Sequence, residues 1–146
     1  MGSESKLREL EEVFSQVKRK ITMEWNKHLE PGISGSQVWM LHILEEKGSQ
    51  KVSELAEALE ISLPAVTGLS DKLIASGYAQ RERSEEDRRI VLLHITDKGK
   101  EMLKSIREQR RLMMKKHYEG LSDEDLDHLI RIYHQVLKNI QSKGAE

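Results

Sequence analysis

VSELAEALEISLPAVTGLSDKLIASGY, Val52 to Tyr78, reads as two short helices joined by a tight turn. Ser53 is the expected N-cap of the first helix, which carries Leu55, Ala56 and Leu59 on one side. Glu60-Ile61 forms the turn. Ser62 is the expected N-cap of the second helix, with Pro64 in the first turn, where a missing N–H breaks no bond. Leu63, Val66, Leu69 and Leu73 point one way, and Ser76-Gly77 stops the helix. Two helices that cross this closely need a small residue, Ala56, at the contact. They also need apolar side chains around it: Leu55, Leu59, Ile61, Val66 and Leu69. That is the helix-turn-helix requirement. The second helix then presents Pro64, Ala65, Thr67, Gly68, Asp71 and Lys72, a face low enough in bulk to enter a major groove. An αα-hairpin inside an ordinary core shares the apolar pattern and is the plain alternative.

The period changes after Gly77. Tyr78 to Arg83 alternates roughly between polar and apolar, Ser84-Glu85-Glu86-Asp87 reads as a turn, and Arg89 to Ile95 is rich in strand formers. The expected β-hairpin carries Arg81, Arg83, Arg88 and Arg89. Beside a recognition helix such a hairpin is a wing, able to set arginines on phosphates or in the minor groove. Taken alone it could equally be a solvated hairpin whose arginines pair with Glu82, Glu85, Glu86 and Asp87.

Helices flank this unit on both sides. Leu7, Leu10, Phe14, Val17 and Ile21 recur at helical spacing, and Trp25 and Leu29 extend the stripe to Pro31-Gly32. From Ser36 a second helix carries Val38, Leu41, Ile43 and Leu44 and ends at Lys47-Gly48. Thr96 is the expected N-cap of a long helix reaching about Glu119, with Gly120 as its C′ residue. Ser122 caps the last helix, with Asp125 at N3 and Leu121 and Leu126 at staple positions. Its face holds Leu129, Tyr133, Val136, Leu137 and Ile140. The order is four helices, a hairpin and two helices: a mainly α chain with a small β-hairpin wing. The stripes at Leu7, Leu10, Phe14 and Val17 and on the last helix exceed what so compact a unit can cover. They point to a second copy of the chain across a two-fold axis.

Composition narrows the function. The 146 residues fit one domain or two fused halves, with a net charge of −1 and 34% charged residues. DNA binding would therefore depend on local charge asymmetry. With no cysteine, there is no disulfide, thiolate zinc site or thiol redox switch. No apolar stretch reads as a signal peptide or a bilayer span, so a cytoplasmic location with no membrane partner is expected. No phosphate loop, nucleophile motif or paired-carboxylate motif is present. The expectation is no enzyme, no catalytic residues and no cofactor.

The combination resembles the MarR family of winged helix-turn-helix regulators. The resemblance rests on Val52-Ser53-Glu54-Leu55-Ala56, the helix exit Leu73-Ile74-Ala75-Ser76-Gly77-Tyr78, the wing motif Asp87-Arg88-Arg89, and Ile95-Thr96-Asp97-Lys98-Gly99. It extends over nearly the whole chain. It implies a homodimer that binds palindromic double-stranded DNA as a repressor and releases it on binding a small effector. Residues 34–96 would be the DNA-binding region, and residues 1–33 and 97–146 the helical dimerisation region. Arg89 would enter the minor groove, oriented by Asp87. Ser62, Ala65, Thr67, Gly68 and Lys72 would face the groove or phosphates, with Ser53, Pro64, Arg81, Arg83 and Arg88 completing the DNA-contacting set. Three departures from the family pattern stand out. Glu60 occupies a turn position often held by glycine, which asks a side chain to adopt a left-handed conformation. Ser70 replaces a usual apolar residue. Residues 51–96 hold six Lys/Arg against eight Asp/Glu.

Two further clusters are candidates. Met23, Trp25 and His28, with Trp39, Met40 and His42, could line a site for a small aromatic or anionic effector, or could simply pack a core. Glu24, His28 and His42 would be the ligands of a zinc-responsive variant, although no metal-ligand spacing is present, so no metal site is expected. The basic run Lys98 to His117 holds eight Lys/Arg and two acids. It could extend the DNA footprint or serve as a solvated face. A winged helix used for protein–protein contact is the remaining alternative.

Overall fold

The computed structural model describes residues 2–144. In chain order the elements are α1 (Gly2–Lys27), α2 (Gly35–Lys47), β1 (Gln50–Lys51), α3 (Val52–Leu59), α4 (Leu63–Ala75), β2 (Ala79–Arg83), β3 (Val91–Ile95), α5 (Asp97–His117) and α6 (Asp123–Gly144). The expected mainly helical winged fold is present. The strands form one antiparallel sheet in the order β1-β3-β2. In the wing, Ala79 pairs with Ile95 and Arg83 with Val91.

The third strand is a correction. Gln50 and Lys51 pair with Leu93 and Leu92, so the sheet is wider than the hairpin alone. The same pairing moves the start of α3. Lys51, not Ser53, is its N-cap, and Ser53 lies exposed in the first turn. Glu54 at N3 reaches back to accept the Lys51 N–H at 3.4 Å. Helix α2 also starts earlier than its apolar pattern suggests. Ser34 caps it in a box with Gln37: Gln37 N donates to Ser34 Oγ at 3.3 Å, and Ser34 N to Gln37 Oε1 at 2.7 Å.

The turn between α3 and α4 carries the strain expected of it. Glu60 is left-handed (φ 56°, ψ 39°) and is the one non-glycine residue with positive φ among those described. That conformation costs a side-chain-bearing residue about 1 kcal/mol or more. Ser62 then caps α4 by accepting the Ala65 N–H at 3.3 Å. Leu63 departs from the expected inward stripe and is 51% exposed, while Val66 and Leu73 are fully buried. Ser70 is buried without looseness, because its hydroxyl donates to Val66 O at 2.7 Å.

These elements close around one core. It includes Leu41 and Leu44 of α2, Leu55 of α3, Val66 and Leu73 of α4, Leu93 of β3, and Leu103 and Ile106 of α5. Gln37 is buried among them and missed by periodicity; its amide donates to Leu69 O at 3.2 Å and ties α2 to α4. Another tie joins the end of α4 to the start of α5. Thr96 Oγ1 donates to Gly77 O at 2.6 Å and accepts the Gly99 N–H at 3.1 Å, while Thr96 N donates to Tyr78 O at 3.1 Å. A Cβ on Gly99 would lie 2.2 Å from Tyr78 O.

The chain divides after Arg110 into two compact units. In the second, α5 ends at His117 rather than Glu119, and Gly120 has φ +90°. Ser122 and Asp125 cap α6 reciprocally at 3.0 and 3.1 Å. Tyr133, Val136, Leu137 and Ile140 of α6 are 45–63% exposed in the single chain. In the first unit, α1 contains no buried residue over its 26 positions.

Candidate nucleic-acid interface

Helix α4 turns Val66, Ser70 and Leu73 into the core and leaves Ser62, Pro64, Ala65, Thr67, Gly68, Asp71 and Lys72 exposed. Thr67 Oγ1 is bonded back to Leu63 O at 2.9 Å. Gly68 is informative because nothing in the chain requires it: a Cβ there would meet no atom within 4 Å. A helix-interior glycine costs about 1 kcal/mol relative to alanine. The glycine keeps the surface low over the middle of the helix.

The wing turn holds its arginine rigidly. Asp87 Oδ1 accepts both the Arg89 backbone N–H and Nε–H at 3.0 Å, and Oδ2 accepts from Nη2 at 3.0 Å. The Arg89 side chain nevertheless remains 90% exposed. Bonding to the guanidinium holds the Asp87 carboxyl below its usual range and raises Arg89 further. These bonds also delay β3, which begins at Val91 and not at Arg89, because Ile90 N closes the turn onto Asp87 O at 3.0 Å. Arg83 Nη1 donates to Arg88 O at 2.8 Å, bracing the strands below the tip. Arg81 pairs with Asp71 of α4. Glu82 accepts from Ser49 Oγ at 3.0 Å and faces His94 Nδ1 at 3.4 Å, toward the base of the wing. Ser62, Pro64, Ala65, Thr67, Gly68 and Lys72 thus share one helix, and Arg81, Arg83, Asp87, Arg88 and Arg89 the hairpin that follows it. Ser53 lies apart, on α3.

The effector candidates are only partly brought together. Trp39 stacks on His42 with ring centroids 5.1 Å apart, and both line a cavity of about 310 Å³ with Arg107 and Arg110. Trp25 joins from behind, its ring under the Arg110 guanidinium at 4.7 Å. Burial lowers the pKa of Arg110. Arg107 is spoken for by Glu45 at 2.6 Å and His42 Nδ1 at 2.8 Å. His42 Nε2 faces Glu46 at 3.1 Å. His28 lines a separate cavity with Glu30, Tyr78 and Lys98. There Tyr78 donates to Glu30, and its pKa is raised to about 12, chiefly by burial. Met23 is 57% exposed on a cleft with Lys20 and Lys27. Met40 must be withdrawn as a lining residue: it is fully buried in the core. The cations Arg107 and Arg110 do not stand out in the sequence, because they sit within the general basic run of α5. Among the described residues, no three His, Cys, Asp or Glu side chains are grouped to hold a metal ion. None of the described helices is long and apolar enough to cross a membrane.

An exposed second helix, a rigid wing arginine and a strained helix-turn-helix corner define a winged helix-turn-helix protein. The MarR family profile matches residues 33–91. An uncharacterised HTH-type transcriptional regulator of Bacillus subtilis, YpoP, is 33% identical over 88% of this chain and 89% of its own length. The HTH-type transcriptional repressor MdtR of the same organism is 28% identical over 80% of this chain and 74% of its own. FabT of Streptococcus pneumoniae, solved in complex with DNA, superimposes with a TM-score of 0.76 at 24% identity, covering 92% of this chain and 96% of FabT. This chain belongs to the MarR family: it is a DNA-binding transcriptional regulator and not an enzyme.

Proposed function

We propose that the chain is a cytoplasmic repressor that binds palindromic duplex DNA as a homodimer. Helix α4 would enter the major groove and Arg89 the adjacent minor groove. The observation that carries this reading is the wing tip, where a 90% exposed arginine is fixed by three bonds to one carboxylate. Such rigidity contributes little to the fold, since solvent screens an exposed pair. It does pre-organise a cation for a partner. The open surface over Gly68 supports the same reading. Repression is supported by the likeness to MdtR, and DNA as partner by the likeness to FabT.

The bare stripes of α1 and α6 support dimerisation. Residues 1–33 and 97–146 would supply the interface through Leu7, Leu10, Phe14, Val17, Leu129, Tyr133, Val136, Leu137 and Ile140, leaving residues 34–96 to contact DNA. For the effector, the cavity at Trp39 and His42 is the best supported, because Arg110 brings a cation over the Trp25 ring to its wall and Trp39 offers a flat face. A planar aromatic carboxylate fits that chemistry. Its binding would move α2 and α5, on which the helix-turn-helix is packed.

Arg89→Ala should weaken binding to a specific site by about 1–3 kcal/mol, roughly 5- to 150-fold. Thermal unfolding should change little, because Arg89 has almost no packing to lose. DNA titrations of both proteins against the same site check this. An unchanged affinity would remove the wing-tip assignment.

A further inference from the structure

A carboxylate on a DNA-facing helix repels phosphates, and Asp71 is the sole acid in the sequence of α4. It lies one helical turn from Gly68 and next to Lys72, on the exposed side of the helix. Its Oδ1 accepts from Arg81 Nη2, so the pair spans the junction between α4 and β2. The Asp87–Arg89 pair sits within one turn and orients its own arginine. Asp71 and Arg81 are instead ten positions apart on two elements, and the fold sets their meeting. The side chains are 48% exposed at Arg81 and 56% at Asp71. An ion pair this open adds little to stability, so its place on the candidate DNA-facing surface calls for another reason.

We propose that Asp71 is a specificity residue. It occupies Arg81 both in the free protein and on arbitrary DNA, withholding one cation from sequence-independent phosphate binding. The inference rests on α4 and the wing facing DNA. Non-specific affinity follows the number of phosphates a protein neutralises. Site occupancy in a genome follows the ratio of specific to non-specific binding rather than affinity alone. Neutralising a cation at the recognition surface lowers the denominator of that ratio. The region 51–96, with six Lys/Arg against eight Asp/Glu, is already arranged this way in bulk. Asp71 applies the same restraint at a single defined contact.

The test is a salt titration of binding to a short duplex of arbitrary sequence, with three proteins: wild type, Asp71→Asn, and the isocharged Asp71→Asn/Arg81→Gln. Asp71→Asn should bind about two- to five-fold more tightly, the factor an exposed pair can withhold. Its plot of log affinity against log salt should steepen by about 0.9, one phosphate's worth. The double variant should return to wild-type affinity and slope, because the native pair offers no net cation. Thermal unfolding of all three should agree closely, since both side chains are exposed. Unchanged or weaker binding by Asp71→Asn would overturn the proposal. So would a shallower slope in the double variant, which would mean that Arg81 already rests on a phosphate. If wild-type protein showed no salt-dependent duplex binding, the DNA-facing reading would fail and this proposal with it. A change confined to the variants' slopes leaves that reading intact.

Discussion

The Leu137→Glu protein is expected to be monomeric, to keep its helix content, and to bind operator DNA roughly 10²- to 10⁴-fold more weakly than wild type. Leu137 is 49% exposed in the single chain, on a face shared with Tyr133, Val136 and Ile140. Glutamate there disturbs little within one chain, but it would place a charge in the centre of an interface between two. The support for the proposed interface is plainest at α1. A 26-residue helix with no buried position gains little from packing within its own chain beyond the contact of Trp25 with Arg110, and isolated helices are marginal in water. Leu7, Leu10, Phe14 and Val17 are 44–63% exposed along it. In the proposed dimer, a second copy would cover both stripes and pair the two α4 helices about one axis. The large loss in DNA affinity follows because two linked half-sites bind with an avidity that one does not have. Light scattering together with DNA titration reads both effects. A Leu137→Glu protein that remained dimeric would place the interface elsewhere.

Gly99→Ala is expected to lower stability by at least about 3 kcal/mol, a fall of roughly 10 °C in the unfolding midpoint. The added Cβ would lie 2.2 Å from Tyr78 O and 2.8 Å from Ile95 Cγ1. Neither neighbour can yield cheaply. Tyr78 O already accepts the Thr96 N–H, and the Tyr78 ring is buried, with Lys98 Nζ 5.0 Å from its centroid. The same substitution at Gly68 should go the other way, stabilising the fold by about 1 kcal/mol while weakening DNA binding. Parallel thermal melts of the two variants provide the comparison. A well-tolerated Gly99→Ala would mean that the junction between β2 and α5 relaxes more than its bonding suggests.

Much of this was legible in the sequence because its signals are local. Ser62 and Ser122 announce helix starts through a hydroxyl and a spacing. Glu60 stood where the turn requires a left-handed residue, and it is left-handed. The Thr96-x-x-Gly99 motif could be recognised as a pattern, but its reason is the approach of Tyr78 O, which only the folded chain supplies. What the sequence conceals is non-local. β1 has two residues, too few for a period, and exists because Leu92 and Leu93 pair with it. That pairing moved the α3 cap from Ser53 to Lys51. Gln37 looks like a surface residue until Leu69 O is placed opposite its amide. Met40 and Trp39 are neighbours in sequence with opposite fates, one in the core and one on a cavity wall, because the chain turns about 100° between them. The effector candidates scattered for the same reason: residues chosen by type on two helices need not share a wall.

Two α4 helices reading DNA together would enrich a paired site when bound duplexes are selected from a random pool, and that selection is the most direct test of the proposed dimer on DNA. The expected result is an enriched inverted repeat whose half-sites lie about one helical turn apart, roughly 34–36 Å between centres. Its affinity should fall steeply with salt. Enrichment of a single, unpaired half-site, or no enrichment over the starting pool, would contradict it.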